Sequence, residues 1–434
     1  MLIFYTDQIT NRIKYTFDFI FTEILLIPHQ LMDNKEDFLQ SEGYKIIYSQ
    51  TSFSEMPFIY RHDIMISNDI DEVHFEEDKI NDIPVIFSYN REDSFLNFDV
   101  FSAVFYMISR YEEYLIHTKD IHGRYDYSNS IAYKLGVLDV PIVHIWANLL
   151  KDKLLKMYPD IEFEERKYQF LPTIDVDLAY KHIYKGFLRT TGGIFKSLFK
   201  QDFKQAHEKI LCIFKLKKDP YDTFDNILEL KKEYNINMIF FFLLANEGKF
   251  DKSNDPNNNF FQQLIRKIYD YAEIGIHFSY NSVENINLME SEKLLLQEII
   301  HSNVIFSRQH FLRFNLPLTY QNLYDNDIRN DFSMGYASIT GFRAGVCIPF
   351  KFFDLEANAQ TNLVLYPISV MDGTLFQYMH LSYPEAIEEI KRIVEVIRKH
   401  NGLFIPLLHN SSLSDEGIWK GKSNLLEDII KIGL

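Results

Sequence analysis

From Lys167 to the end of the chain, short apolar runs alternate with longer stretches whose apolar residues recur at helical spacing. No other feature restricts the fold as strongly, because strands separated by helices must pair in parallel through crossover connections. The strand candidates are Tyr168 to Ile174, Met238 to Leu244, a run ending in Gly275-Ile276-His277, a run entering Arg308 to Arg313, Phe332 to Tyr336, Leu363 to Met371, and Leu403 to Leu408. Between them, helices are expected around Phe261 to Tyr271, Ser291 to Ile300 and Pro384 to His400, the last stopped by Asn401-Gly402. Seven strand candidates spread over roughly 270 residues fit an incomplete parallel α/β barrel, (β/α)7, over 166–434.

The first part of the chain follows a different pattern. Leu2 to Tyr5, Tyr44 to Tyr48, Phe58 to Tyr60 and Pro84 to Phe87 are short β-like runs. Thr10 is placed to cap a helix bearing Ile13, Phe17, Ile20 and Phe21 on one face, and further helices are expected over Asp99 to Leu115 and Pro141 to Met157. This reads as a small α+β domain over 1–165, with the charged stretch Glu162 to Lys167 as its boundary. No chemical constellation stands out in it.

A net charge of -16 argues against nucleic acid as a general partner, since sequence-independent binding there depends on positive charge. Cys212 and Cys347 are far apart and have no neighbours at metal-ligand spacing, so neither a disulfide framework nor a zinc ribbon is expected. No apolar run reaches the roughly 18 residues needed to span a bilayer, and a cytoplasmic location is the default expectation. The segment 185–218 mixes Lys185, Lys196, Lys200, Lys204, Lys209, Lys215, Lys217 and Lys218 with Phe187, Phe195, Phe199 and Phe214. It is either a solvated helical pair or a surface for peripheral membrane contact. The Asn-rich Asp251 to Asn259 stretch reads as a loop without further function.

Polar residues collect at the carboxyl ends of the strand candidates. Asp175 and Asp177 follow the first, His277 ends the third, His310 and Arg313 lie at the fourth, Asp372 follows the sixth and His409 ends the seventh. In a parallel barrel those ends converge on one mouth. Two carboxylates one residue apart persist mainly where a metal ion or a shared proton offsets their repulsion; the plainer reading is a polar strand exit.

Thr173-Ile174-Asp175-Val176-Asp177 resembles the first motif of the polysaccharide deacetylases, the NodB-homology carbohydrate esterases. His277 to Asn281 is similar to their second motif, a histidine pair four apart. Arg308 to Phe314 sits where the third, arginine-bearing motif belongs, Val370-Met371-Asp372 near the fourth, and Leu407-Leu408-His409 at the fifth. The amino-terminal part, with Ser109 to Tyr114, resembles an extra domain of a Bacteroidetes-type subgroup. The resemblance implies a distorted barrel holding one divalent metal, usually zinc, with cobalt or nickel as alternatives, and hydrolysis of an N-acetyl group on an amino-sugar glycan or its precursor. It implies Asp175 as general base, Asp177 and His277 as metal ligands, His409 as proton donor to the departing amine, and Asp372 or Arg313 as orienting groups.

The chain departs from the pattern at two places: Val176 separates the two aspartates, and Asn281 stands where the second histidine belongs. Three outcomes follow: Asn281 ligates weakly, His310 substitutes from the next strand, or no catalytic metal binds. Two other functions are carried forward, a non-catalytic carbohydrate-binding relative and an allantoinase-like hydrolase of a small amide. The oligomeric state is left open.

Overall fold

The computed structural model describes residues 1–184 and 203–434. Most of the lysine-rich segment, 185–202, therefore lies outside the described residues. Among those described, no helix is long and apolar enough to cross a membrane. The chain divides into two compact units. The first comprises Met1–Gln169, Gly341–Pro367 and Val396–Leu403; the second comprises Phe170–Thr340, Ile368–Glu395 and Phe404–Leu434.

In the first unit, Leu2–Tyr5 and Tyr44–Ser49 are the inner strands of a parallel sheet ordered His29–Met32, Leu2–Tyr5, Tyr44–Ser49, Phe58–Tyr60. Ile3, Phe38, Ile47 and Phe58 pack together as one buried cluster. An antiparallel pair, Glu76–Ile80 with Ile83–Ser88, forms a separate sheet. Thr10 caps the helix Asn11–Phe17 by accepting from the Ile13 amide. The helix Ile142–Met157 begins one residue after Pro141.

The helix expected over Asp99 to Leu115 spans only Val100–Ile108, capped by Asp99. It ends early because Arg110 adopts a left-handed backbone (φ 53°), which cannot continue a right-handed helix. That turn folds the Arg110 side chain back onto its neighbours. Its Nε donates to Glu113 Oε1 at 2.8 Å and its Nη2 to Glu112 Oε1 at 2.9 Å. Arg343 closes the network, with Nη2 donating to Glu113 Oε2 at 2.6 Å.

In the second unit, seven strands pair in parallel in the order Asn330–Asp331, Phe306–Gln309, Glu273–Phe278, Ile239–Leu243, Thr173–Val176, Pro406–His409, Val370–Met371. Among the described residues the first and last of these do not pair with each other, so this is an α/β barrel left open, as expected for an incomplete one. The helices Asn259–Tyr269, Ile286–Ile300 and Tyr383–Lys399 match the expected ones to within a few residues at each end. Asn258 and Asn285 cap the first two.

Four strand assignments need correction. Tyr168 to Ile174 and Leu403 to Leu408 are each divided: Gln169–Phe170 and Leu403–Phe404 form a separate two-stranded sheet, while Thr173–Val176 and Pro406–His409 join the parallel one. The run Leu363 to Met371 is two strands: Ala359–Leu365 pairs antiparallel with Phe350–Asp354, while Val370–Met371 joins the parallel sheet. Pro367, which has no amide hydrogen to donate, lies between them. The fifth strand is Asn330–Asp331 instead of Phe332 to Tyr336.

Glycine is required at position 275. A Cβ there would lie 2.5 Å from Cε1 of Phe241 and 2.9 Å from the Phe306 carbonyl oxygen. The missing side chain leaves room for the Phe241 ring on the next strand, and the Arg308 guanidinium lies over that ring, 4.5 Å from its centroid.

Glu113 is buried between two guanidiniums. Burial alone would raise its carboxyl, but Arg343 and Arg110 outweigh this and lower it to about 2. Because the folded value is depressed, its contribution to stability is complete above pH 4.5 and declines as pH falls from about 4.5 towards 2. Glu113→Gln is expected to cost about 3–5 kcal/mol at pH 7. Urea unfolding of both proteins from pH 7 to 3 checks this; the gap between them should narrow below about pH 4.5.

Candidate active site

The register of the parallel sheet brings the polar strand ends together. Asp175 pairs with His409 on one side and with Phe241 on the other, and His277 pairs with Arg308. Side chains alternate along a strand, so Thr173 and Asp175 share one face of theirs. The Arg308 Nη1 donates to both, to Thr173 Oγ1 at 2.9 Å and to Asp175 Oδ1 at 2.7 Å. Its Nε donates to the Phe332 carbonyl at 2.9 Å. Arg308 is wholly buried, and Asp175 is nearly so. A buried carboxylate bonded by a buried guanidinium is fixed in position.

Asp177 lies one step beyond, partly open to solvent, with three imidazoles around it. His277 Nε2 is 3.2 Å from Asp177 Oδ1, His310 Nε2 is 3.5 Å from Oδ2, and His409 Nε2 is 3.7 Å from Oδ2. One ligand atom from each of Asp177, His277 and His310 falls within 4.8 Å of the others. The orientation of each ring is set from behind. His277 Nδ1 lies 3.1 Å from the Arg308 carbonyl oxygen. A carbonyl can only accept, so Nδ1 carries the hydrogen and the Nε2 lone pair faces Asp177. His310 Nδ1 lies 2.9 Å from Asp251 Oδ1, which turns its Nε2 inward in the same way. His409 Nδ1 lies 2.7 Å from Asp372 Oδ1, and the Asp372 Oδ2 accepts from the His409 amide at 2.7 Å.

These residues fit a divalent cation. Asp177 Oδ1 and His277 Nε2 are both buried and neither makes a hydrogen bond. Two acceptor-capable atoms facing one point need a positive partner there. The titration of the cluster leads to the same conclusion. Burial would raise the Asp177 carboxyl, but His310 and His409 hold it well below the carboxylate range. Burial would lower His310 and His409, but the carboxylates beside them prevail: Asp177 and Asp251 raise His310 to about 9, and Asp372 and Asp177 raise His409 to about 10. The cluster gathers positive charge, and a dication supplies it without protons.

Of the residues singled out in the sequence, Asp175, Asp177, His277, His310, Asp372 and His409 come together. Asn281 does not. It is exposed and precedes the turn Ser282–Glu284, with no side-chain capping bond. The strand bearing His277 ends at Phe278 and the chain then turns, with the Ser282 amide bonded to the Ser279 carbonyl at 3.1 Å, so neither strand nor helix periodicity carries from His277 to Asn281. Arg313 is also displaced. Phe311 and Leu312 have left-handed backbones (φ 63° and 51°), and the chain is kinked there. Arg313 bonds the Tyr280 carbonyl at 3.0 Å and Glu284 at 2.8 Å, while Asp175 is held by Arg308.

Sequence reasoning missed Asp251, read as part of a plain loop. Asp251 is 3% exposed, and its Oδ1 accepts from the Tyr280 amide at 2.9 Å as well as meeting His310. It lies eight residues beyond the Ile239–Leu243 strand, so it lacks the abrupt strand-end pattern of the other polar residues. Glu292 was missed too. It is buried on the helix Ile286–Ile300, accepts from the Ser279 amide at 3.0 Å and is raised to about 7, chiefly by burial.

Comparison with known families and structures gives the following. One family model, described as a family of unknown function (DUF7033), matches residues 2–159. No curated protein matches the chain. Among solved structures, the chain is similar to a candidate polysaccharide deacetylase of Mycobacterium smegmatis at 16% identity, covering 63% of this chain and 86% of that one, with a TM-score of 0.41. A polysaccharide deacetylase of Bacillus cereus matches at 12% identity, 61% and 86% coverage, and a TM-score of 0.30. A CE4 family pseudoenzyme of Bacillus anthracis matches at 10% identity, 61% and 62% coverage, and a TM-score of 0.30.

If His310 is the third ligand, zinc competition against a chromophoric chelator gives distinct results for three variants. His310→Ala should lose tight binding. Asp251→Ala should weaken it by about 10–100-fold, because the imidazole loses its orienting partner. Asn281→Ala should stay within about twofold of the unaltered protein.

Proposed function

We propose that this chain is a metal-dependent hydrolase that removes an acetyl group from the nitrogen of an amino sugar in a glycan or glycan precursor. The observation that carries the reading is the convergence on Asp177 of two Nε2 atoms turned inward by Nδ1 anchors, flanked by two further groups built for proton transfer. Those groups are Asp175 held by Arg308, and His409 held by Asp372.

Asp177, His277 and His310 would hold the metal, for which zinc fits the one-carboxylate, two-imidazole donor set, with cobalt or nickel as alternatives. When bound, the cation acts as a Lewis acid that polarises the amide carbonyl and acidifies water. Asp175 acts as the general base. Arg308 occupies its Oδ1, and Oδ2 faces the cluster, 3.6 Å from His277 Nε2. It takes a proton from the water whose oxygen bonds to the acetyl carbon. As the C–N bond breaks, the nitrogen needs a proton. His409 delivers it from Nε2, while Asp372 keeps Nδ1 protonated and stabilises the ring. Acetate and a free amine leave, so the atoms balance.

Acetate release from N-acetylated oligosaccharides, measured with the zinc-loaded protein, tests this reading. Asp175→Asn and His409→Ala are each expected to lower kcat by about 10²–10⁴-fold while zinc stays bound. Removal of the metal by a chelator should abolish turnover, and added zinc should restore it. A protein that binds no stoichiometric metal and releases no acetate would instead match a carbohydrate-binding relative without catalysis.

A further inference from the structure

The first unit holds a cavity of about 600 Å³ that the proposed chemistry does not use. All of its lining residues belong to that unit, and its size is that of a small-ligand pocket. Ile70, Leu115 and Ile131 give it an apolar wall. Among the polar lining residues, Glu112 is already satisfied: its Oε1 accepts from Arg110 at 2.9 Å and its Oε2 from the Ile131 amide at 2.8 Å. The side chains of Glu72, Glu77 and Lys134 make no hydrogen bond or ion pair among the described residues.

Tyr106 separates this cavity from a plain surface hollow. It is 6% exposed and lines the space, yet its hydroxyl has no hydrogen-bond partner among the described residues. A phenol enclosed to this degree normally finds one. Burial, and after it the Glu112 carboxylate, hold that hydroxyl protonated well above the usual tyrosine range. His117 adds an acceptor. Its Nδ1 lies 2.8 Å from the Leu115 carbonyl oxygen and so carries the hydrogen, which leaves a lone pair on Nε2. Phenol oxygen, imidazole nitrogen and two carboxylates all accept, against the single ammonium of Lys134. Charge narrows the choice of ligand further, because Asp69, Asp71, Glu76 and Asp78 lie on the same segment as Glu72 and Glu77. A protonated amine supplies both donors and positive charge, whereas an acetamide group is neutral and gains little from the carboxylates.

We propose that this cavity is a binding site for a sugar bearing a free, protonated amine, and that it discriminates against the N-acetylated form. The apolar wall and the acceptors suit a pyranose, which has a C–H face and a hydroxyl-bearing edge. The choice of a sugar rests on the deacetylase reading, whose product carries such an amine. Titration calorimetry of the full chain tests the proposal at about pH 6, below the pKa of a primary amine, with a chelator present to keep the barrel site free of metal. The β-linked tetramer of glucosamine should bind at least about tenfold more tightly than its N-acetylated counterpart. Glu72 and Glu77 are exposed, so replacing them leaves the fold intact. Glu72→Gln and Glu77→Gln should each remove most of the preference, and Tyr106→Phe should weaken the amine form by about threefold or more. His310→Ala, which alters the metal cluster, should leave the binding unchanged. Equal affinity for the two tetramers, a preference unchanged in both glutamine variants, or binding lost in His310→Ala overturns the proposal. So does tetralysine bound as tightly as the glucosamine tetramer, which would make the cavity a site for any polycation. Acetate release by the zinc-loaded protein separates this inference from the deacetylase reading. An amine preference without acetate release keeps the cavity as an amine site and removes the reaction. Acetate release without an amine preference does the reverse.

Discussion

The arrangement of the site depends on a guanidinium with no access to water. Arg308 lies among the strands of the open barrel, bonded to Thr173 and Asp175 on one strand and to the Phe332 carbonyl, and lying over the Phe241 ring. A buried charge of this kind is tolerated only when it is paired and hydrogen-bonded, which ties the position of Asp175 to that of Arg308. The Arg308 carbonyl oxygen in turn orients His277. One residue thus places the proposed base through its side chain and a candidate ligand through its backbone. Gly275 belongs to the same construction, because the space it leaves is filled by the ring that Arg308 covers.

Outside that centre the same device recurs with different partners. Each imidazole that faces Asp177 is held through Nδ1 by a fixed acceptor: a backbone carbonyl for His277, Asp251 for His310 and Asp372 for His409. The Nε2 atoms then have no freedom to turn away. The carboxylate behind His409 makes that ring suited to carry a proton. The one behind His310 makes a neutral ring a stronger donor to a cation. What the three rings share is orientation, and what separates their roles is position around Asp177.

Much of this was legible in the sequence because strand ends have a clear signature: an apolar run followed abruptly by Asp or His. Asp175, Asp177, His277, Asp372 and His409 all carry it, and the order of strands in the sheet brings them together. Asn281 and Arg313 were misplaced for one shared reason. Linear spacing predicts contact only when the backbone conformation is known, and both lie past turns, the latter reached through two left-handed residues. Asp251 was hidden by its surroundings, since an Asn-rich stretch reads as solvent loop even when its first carboxylate is buried. The division of Leu363 to Met371 into two strands was signalled by Pro367, but the separate units to which they belong are set by tertiary packing that no local pattern records.

The central claim is that His310, arriving from the neighbouring strand, completes a metal site with Asp177 and His277 in place of Asn281. A crystal grown with zinc and measured on both sides of its absorption edge tests this most directly. The account predicts one anomalous peak with a carboxylate oxygen of Asp177 and the Nε2 atoms of His277 and His310 each about 2.0–2.2 Å away. A peak bonded to Asn281, a peak that does not touch His310, or no peak among these residues at saturating zinc would contradict it.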